Sequence, residues 1–187
     1  LLKATCGISL SENSVRKATQ RIGEEVEHQE KDWQEESEDI TALRAQDLAP
    51  AEKAPERLYG SLDGVLVPVE KEWRELKIGS WYVEKAAPGA SKPKAAELGY
   101  YRNIGEATKL GPLFWATGYR RWASRARELI FVADGAVWIW NLVSDYFPRA
   151  VQIVDWFHAV EYIAPIANAV FGEGSDKARG WRDQVRD

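Results

Sequence analysis

The sequence predicts an α/β fold, on three observations. Residues 58–83 hold two long runs of strand formers around the turn Glu70-Lys71-Glu72, and a third run follows at 97–104. Leu129-Ile130-Phe131-Val132-Ala133 and Val151-Gln152-Ile153-Val154 are short apolar runs of the kind that parallel sheets bury. Each of these two runs delivers an aspartate at its end, Asp134 and Asp155, and an aromatic helical segment joins them. Packing alone explains a carboxylate at the end of a buried strand poorly. In open α/β sheets, the carboxyl ends of strands are where ligands sit.

The elements follow in order. Residues 1–23 read as a small helical unit, with cap formers at Ser9-Leu10-Ser11-Glu12-Asn13-Ser14 and an apolar stripe of Val15, Ala18, Ile22 and Val26. A short helix, a turn at Gly7 and a second helix from about Ser11 are compatible with a helix-turn-helix carrying Arg16, Lys17 and Arg21 on its polar side. A plain helical hairpin fits equally. Residues 24–40 continue the helix into an acidic run, read as a solvated face. Residues 41–57 turn to Ala, Pro and charge, the mark of a linker. The predicted organisation is therefore a helical segment over 1–40, a linker over 41–57 and an α/β domain over 58–187.

Within that domain the strand over 58–69 carries Asp63 in its middle, and a second strand over 73–83 pairs with it as a hairpin. A flexible loop at 86–93 leads to the third strand. Pro112 suits the first turn of a helix whose apolar face holds Leu113, Phe114, Thr117, Trp122 and Ala123. A strand over 128–134, a helix over 135–147 ended by Pro148, a strand over 150–155 and a final helix over 156–171, interrupted near Pro165, complete the series. Three strands, then helix-strand-helix-strand-helix, is the order of a ribonuclease H-like core. Its first three strands form an antiparallel meander, and later strands add in parallel.

Composition narrows the function. The chain of 187 residues has room for one ordinary domain and an appendage. It has no apolar run of about eighteen residues and no secretory pattern, so a cytoplasmic protein with no membrane association is expected. Cys6, the single cysteine, excludes an internal disulfide and a Cys-rich zinc site. There is no methionine, and both ends read as helix in mid-course, so a fragment of a longer protein is expected. The formal net charge of −4 looks wrong for a nucleic-acid protein, but residues 24–39 hold nine acids and one base. Taking these out of the 25 bases and 29 acids leaves 24 against 20, a mildly basic body that permits a phosphate-binding surface.

Asp63 in Leu62-Asp63-Gly64 interrupts a run of strand formers, where an acid is locally disfavoured. Asp134 stands in Ala133-Asp134-Gly135. The glycine after each lets the backbone turn sharply or lets a ligand approach. If their strands are neighbours, the two carboxylates meet, and both stay ionised only with positive charge between them. Mg2+ prefers such hard oxygen ligands and leaves positions for water and phosphate. Two ions about 4 Å apart clamp both oxygens of an in-line phosphoryl displacement. Asp155 and His158, three apart at a strand-to-helix junction, have the spacing to hydrogen-bond, fixing a tautomer that contacts a phosphate or braces the site. A buried structural pair is the plainer reading. Among the nine tryptophans, Trp138 and Trp140 lie two apart, so one is expected in the core and the other nearer the surface by Asp134, open to stacking on a base. Arg120, Arg121, Arg125 and Arg127 form a basic cluster, either a solvated face or a phosphate track.

Leu62-Asp63-Gly64-Val65, Trp73-Arg74-Glu75-Leu76-Lys77-Ile78-Gly79, Ala133-Asp134-Gly135-Ala136-Val137-Trp138-Ile139-Trp140-Asn141 and Phe147-Pro148-Arg149-Ala150-Val151-Gln152-Ile153-Val154-Asp155-Trp156-Phe157-His158-Ala159 occur in that order. Together they resemble bacterial insertion-sequence transposases of the ISKra type. These are DDE enzymes with a ribonuclease H-like catalytic domain related to the Mutator-like group. The resemblance runs from about Leu58 to Trp181. It implies that Asp63 and Asp134 are the first and second catalytic, metal-holding aspartates, and that Asp155 and His158 form the family's Asp-x-x-His signature in a supporting role. It further implies two Mg2+ or Mn2+ ions, nicking at element ends, and strand transfer by a freed 3′-hydroxyl. DNA is the implied partner, with a homodimer or higher assembly of the full-length protein near the bacterial nucleoid. The family's third acid, a glutamate, has no match: Glu161 stands too close to Asp155, and Glu173 lacks the context. This chain is therefore expected to bind metal weakly and not to transpose. A ribonuclease H-like nuclease or resolvase, and a non-catalytic DNA-binding remnant, are the alternative readings.

Overall fold

The alternation over 57–85 is realised as two long antiparallel strands, β1 (Arg57–Val69) and β2 (Glu72–Lys85). They belong to a computed structural model that describes residues 11–39, 54–89 and 91–186. Cys6, the predicted turn at Gly7 and most of the predicted linker lie outside the described residues. The remaining elements are α1 (Glu12–Glu38), β3 (Lys94–Ile104), α2 (Ala107–Arg120), β4 (Glu128–Ala133), α3 (Val137–Tyr146), β5 (Val151–Val154), α4 (Trp156–Phe171) and α5 (Asp176–Arg186). The five strands form one mixed sheet in the order β3-β2-β1-β4-β5. β1, β2 and β3 pair antiparallel, whereas β4 joins β1, and β5 joins β4, in parallel. The architecture is α/β.

One face of the sheet is covered. Leu58 and Leu62 of β1, Trp81 of β2 and Phe131 of β4 meet Phe114 of α2 and Val143 of α3 in a single core. Trp81 is fully buried, stacks on Phe114 with ring centres 4.5 Å apart and donates its indole N–H to the Thr117 hydroxyl at 3.2 Å. That satisfies the one polar atom which burying a tryptophan brings into a core. Gly79 makes room for the stack, because a Cβ there would stand 2.4 Å from the Phe114 ring. On the other face Tyr59 and Tyr82 stack 5.2 Å apart, and Val151 and Ile153 of β5 are exposed.

The helices depart from expectation in four places. α1 starts where predicted, capped by the Ser11 hydroxyl, which accepts from the Ser14 amide at 3.1 Å. Its predicted apolar stripe is exposed at Val15, Ile22 and Val26, and the acidic half packs on α2 instead. There Glu30 is buried against Arg102, Glu36 pairs with Arg120, and Trp33 meets Tyr101 edge-on. The acidic run is therefore a partly docked face, held by cations of the sheet domain.

α2 begins at Ala107, so Pro112 lies in its second turn rather than its first. The Asn103 side chain accounts for the earlier start, donating to the carbonyls of Ile104 and Glu106 and shaping the entry. α2 also stops at Arg120, before Trp122 and Ala123. Trp122 adopts a left-handed φ of 64°, and the Ala123 amide reaches back to the Gly118 carbonyl at 2.9 Å, closing the helix as a glycine would. α4 runs through Pro165 without interruption. Glu161, whose carbonyl loses its partner there, is exposed, so the helix tolerates the proline. α5 packs on α4, which carries exposed Trp156, Phe157, Tyr162, Ile166 and Val170. Among the described residues no helix is long and apolar enough to cross a membrane.

Candidate functional site: a row of aspartates at the strand ends

The register of the parallel strands sets Asp155 beside Asp134 and pairs β1 with β4 at the offset that separates Asp63 from Asp134. Along β1 and β4 each residue faces the one 71 positions later, from Arg57↔Glu128 to Gly60↔Phe131. Asp63 and Asp134 share this offset of 71, three residues beyond the last paired position. Along β4 and β5 the offset is 21, from Ile130↔Val151 to Ala133↔Val154, and one step further it sets Asp134 level with Asp155. The Asp155 amide donates to the Ala133 carbonyl at 2.7 Å, so the ladder continues to that level. Side chains alternate along strands, and Leu62 and Ala133 face the core. All three aspartates thus belong to the open face, on strands spaced about 4.8 Å apart.

Each carboxylate is set differently. Asp63 is exposed and accepts from the Gly64 amide at 2.7 Å through Oδ1. Asp134 is half-buried, and its Oδ1 accepts from the Ala136 amide at 2.8 Å, shaping the turn that starts α3. In both, one oxygen is oriented by the backbone and the other has no hydrogen-bond partner among the described residues. Asp155 occupies the N-cap position of α4 without a side-chain cap bond. No three His, Cys, Asp or Glu side chains gather into a metal cage among the described residues.

His158 comes to this row by a route that spacing did not reveal. Its Nε2 stands 2.7 Å from where a Cβ on Gly135 would be, so the ring lies against the turn after Asp134. The expected bond to Asp155 is not formed. Residues 158, 161 and 162 share one face of α4. Accordingly Nδ1 lies 3.8 Å from the Glu161 carboxylate, and the ring meets Tyr162 edge-on at 5.1 Å.

Trp138 and Trp140 are both half-buried and packed against the core, so neither stands out as a free stacking platform. Trp138 instead carries Lys77 over its ring, 4.9 Å from the centre. Sequence reasoning passed over Lys77. Its signal is a charge at a core-facing position of β2, two residues before Gly79.

The arginine cluster does not approach the aspartates. Arg127 precedes β4 at the strand's opposite end and pairs with Glu56. Arg120 pairs with Glu36, and Arg121 donates to the Glu97 carbonyl. A cleft of about 1150 Å3 lies at this far end, between Trp33, Arg57, Lys85, Tyr101 and Trp122. Its cations Arg57 and Lys85 are held by Glu128 and Glu97.

No protein-family model matches the chain, and comparison with curated proteins yields no match.

Proposed function

We propose that the chain is the core of a DDE DNA transposase of the ISKra type, with a ribonuclease H-like fold in which Asp63 and Asp134 hold divalent cations. The observation that supports this reading is the parallel pairing of β1 with β4 at an offset of 71 residues, the separation of Asp63 and Asp134. The sheet order supports it, because a three-strand antiparallel meander extended in parallel from β1 is what such a core requires. The donor set fits Mg2+ or Mn2+: hard carboxylate oxygens, few in number, on an open face with room for water and phosphate.

The chain's own groups divide the work. The Gly64 and Ala136 amides fix one oxygen of each carboxylate and leave the other without a hydrogen-bond partner among the described residues. Gly64 and Gly135, lacking a Cβ, leave the space beside each aspartate that the Glu75 carboxylate and the His158 ring occupy. Asp155 adds negative charge to the row, and His158 braces the turn at Gly135. Bound cations supply the positive charge that in-line displacement at phosphorus needs.

The test is Asp63→Ala or Asp134→Ala in the full-length parent protein acting on its own element ends, assayed for excision and insertion. Both variants should lose transposition, and retained activity in either overturns the assignment. Supplying pre-cleaved ends separates the alternatives, since a nuclease or resolvase cuts but does not join them to a target.

A further inference from the structure

Lys77 is the one lysine or arginine among the buried residues of the described core, at 6% exposure. Three contacts define its place. It faces Gly64 across the β1–β2 ladder, one residue from Asp63. Its ammonium pairs with Glu75, whose carboxylate lies against Gly64, where a Cβ would meet Oε1 at 2.6 Å. The same ammonium sits over the ring of Trp138, in the first turn of the helix that grows from the Asp134 turn. The cation therefore ties β2, whose Glu75 lies against Gly64 of the strand that carries Asp63, to the helix that follows the Asp134 turn, from the covered side of the sheet. A desolvated charge held in this way resists displacement, because moving either partner leaves it unpaired in the interior.

We infer that Lys77 is a positioning residue that sets the spacing of Asp63 and Asp134 through Glu75 and Trp138. The inference rests on the proposed carboxylate centre. Ligand-supporting groups outside the metal's reach commonly govern affinity by about 10–100-fold. Their effect is geometric, so it separates from stability.

The experiment measures Mn2+ binding to the 187-residue chain by electron paramagnetic resonance of the free ion, with Asp63→Asn as control. Lys77→Met should weaken binding by about tenfold or more. It should also speed exchange of the Ala136 amide in the metal-free protein. Lys77→Arg keeps the charge and the ring contact and should stay within about threefold of the parent. If Lys77→Met does not fold, Trp138→Leu cuts the tie from the other end and should show the same loss. If Asp63→Asn abolishes binding while Lys77→Met, or Trp138→Leu in its place, leaves it unchanged, the brace is overturned and the centre stands. If Asp63→Asn binds as the parent does, the centre itself fails and the inference falls with it.

Discussion

Gly135 shows how much one missing methylene group decides. The imidazole of His158 occupies the space a side chain at 135 would need, with Nε2 at 2.7 Å from the ideal Cβ position. Its ring is held from behind by Tyr162 and Glu161, so it yields only by leaving that contact. Gly135→Ala should therefore cost about 1–3 kcal/mol, the usual penalty of overfilling a packed site. Introduced into a His158→Ala background, the same change should cost far less, because the obstruction is gone. Urea denaturation of the four proteins in the cycle measures the coupling. Additive effects would show that the ring and the glycine do not contact. Asp63 and Asp134 pose a related question of residue chemistry. Each gives one oxygen to a backbone amide and leaves the other unbonded among the described residues, an arrangement that turn formation alone explains but that also suits a ligand.

Helix α1 carries the clearest electrostatic consequence of element packing. Its acidic run looked like a solvated face, yet the helix docks by that half, with Glu30 and Ser37 buried. Burial raises the Glu30 carboxyl above its ordinary value near 4.5, against the opposing pull of Arg102 at 3.4 Å. The folded protein thus holds the Glu30 proton to higher pH than the unfolded chain. That contribution to stability is complete below the unfolded value and is lost as pH rises through the raised folded one. Glu30→Gln keeps an acceptor for Arg102 and removes the titration. Its stability relative to the parent should climb as pH is raised from about 4 to 7, measured by urea denaturation across that range. Parallel curves would show that Glu30 ionises alike in both states.

At the scale of the whole molecule, the sequence disclosed the strands better than the contacts between them. Period-two alternation and short apolar runs marked all five strands, since each strand's own residues report which face is buried. Asp63 stood out because an acid is locally disfavoured within a strand, and Asp134 because packing explains a carboxylate at the end of a buried strand poorly. Register is not a local property, so only the structure set Asp155 beside Asp134, turned His158 onto Gly135 and seated Lys77 on Trp138. The docking of α1 was hidden for the same reason, because its partners Arg102 and Arg120 are about seventy and more than eighty residues away. If the aligned carboxylates hold a cation, ion binding must be linked to folding of the entire sheet, because the unfolded chain brings no two of them together. A ligand that binds only the folded state stabilises it by about 2.7 kcal/mol at a hundredfold excess over its Kd. Mn2+ should therefore raise the thermal midpoint of the parent in a concentration-dependent way, and chelation should reverse the rise. Asp134→Asn removes one charge and keeps the capping acceptor for the Ala136 amide, so it should fold as the parent does and lose the response. A midpoint in the parent that ignores Mn2+, or an equal rise in Asp134→Asn, would place cation binding elsewhere than on this row.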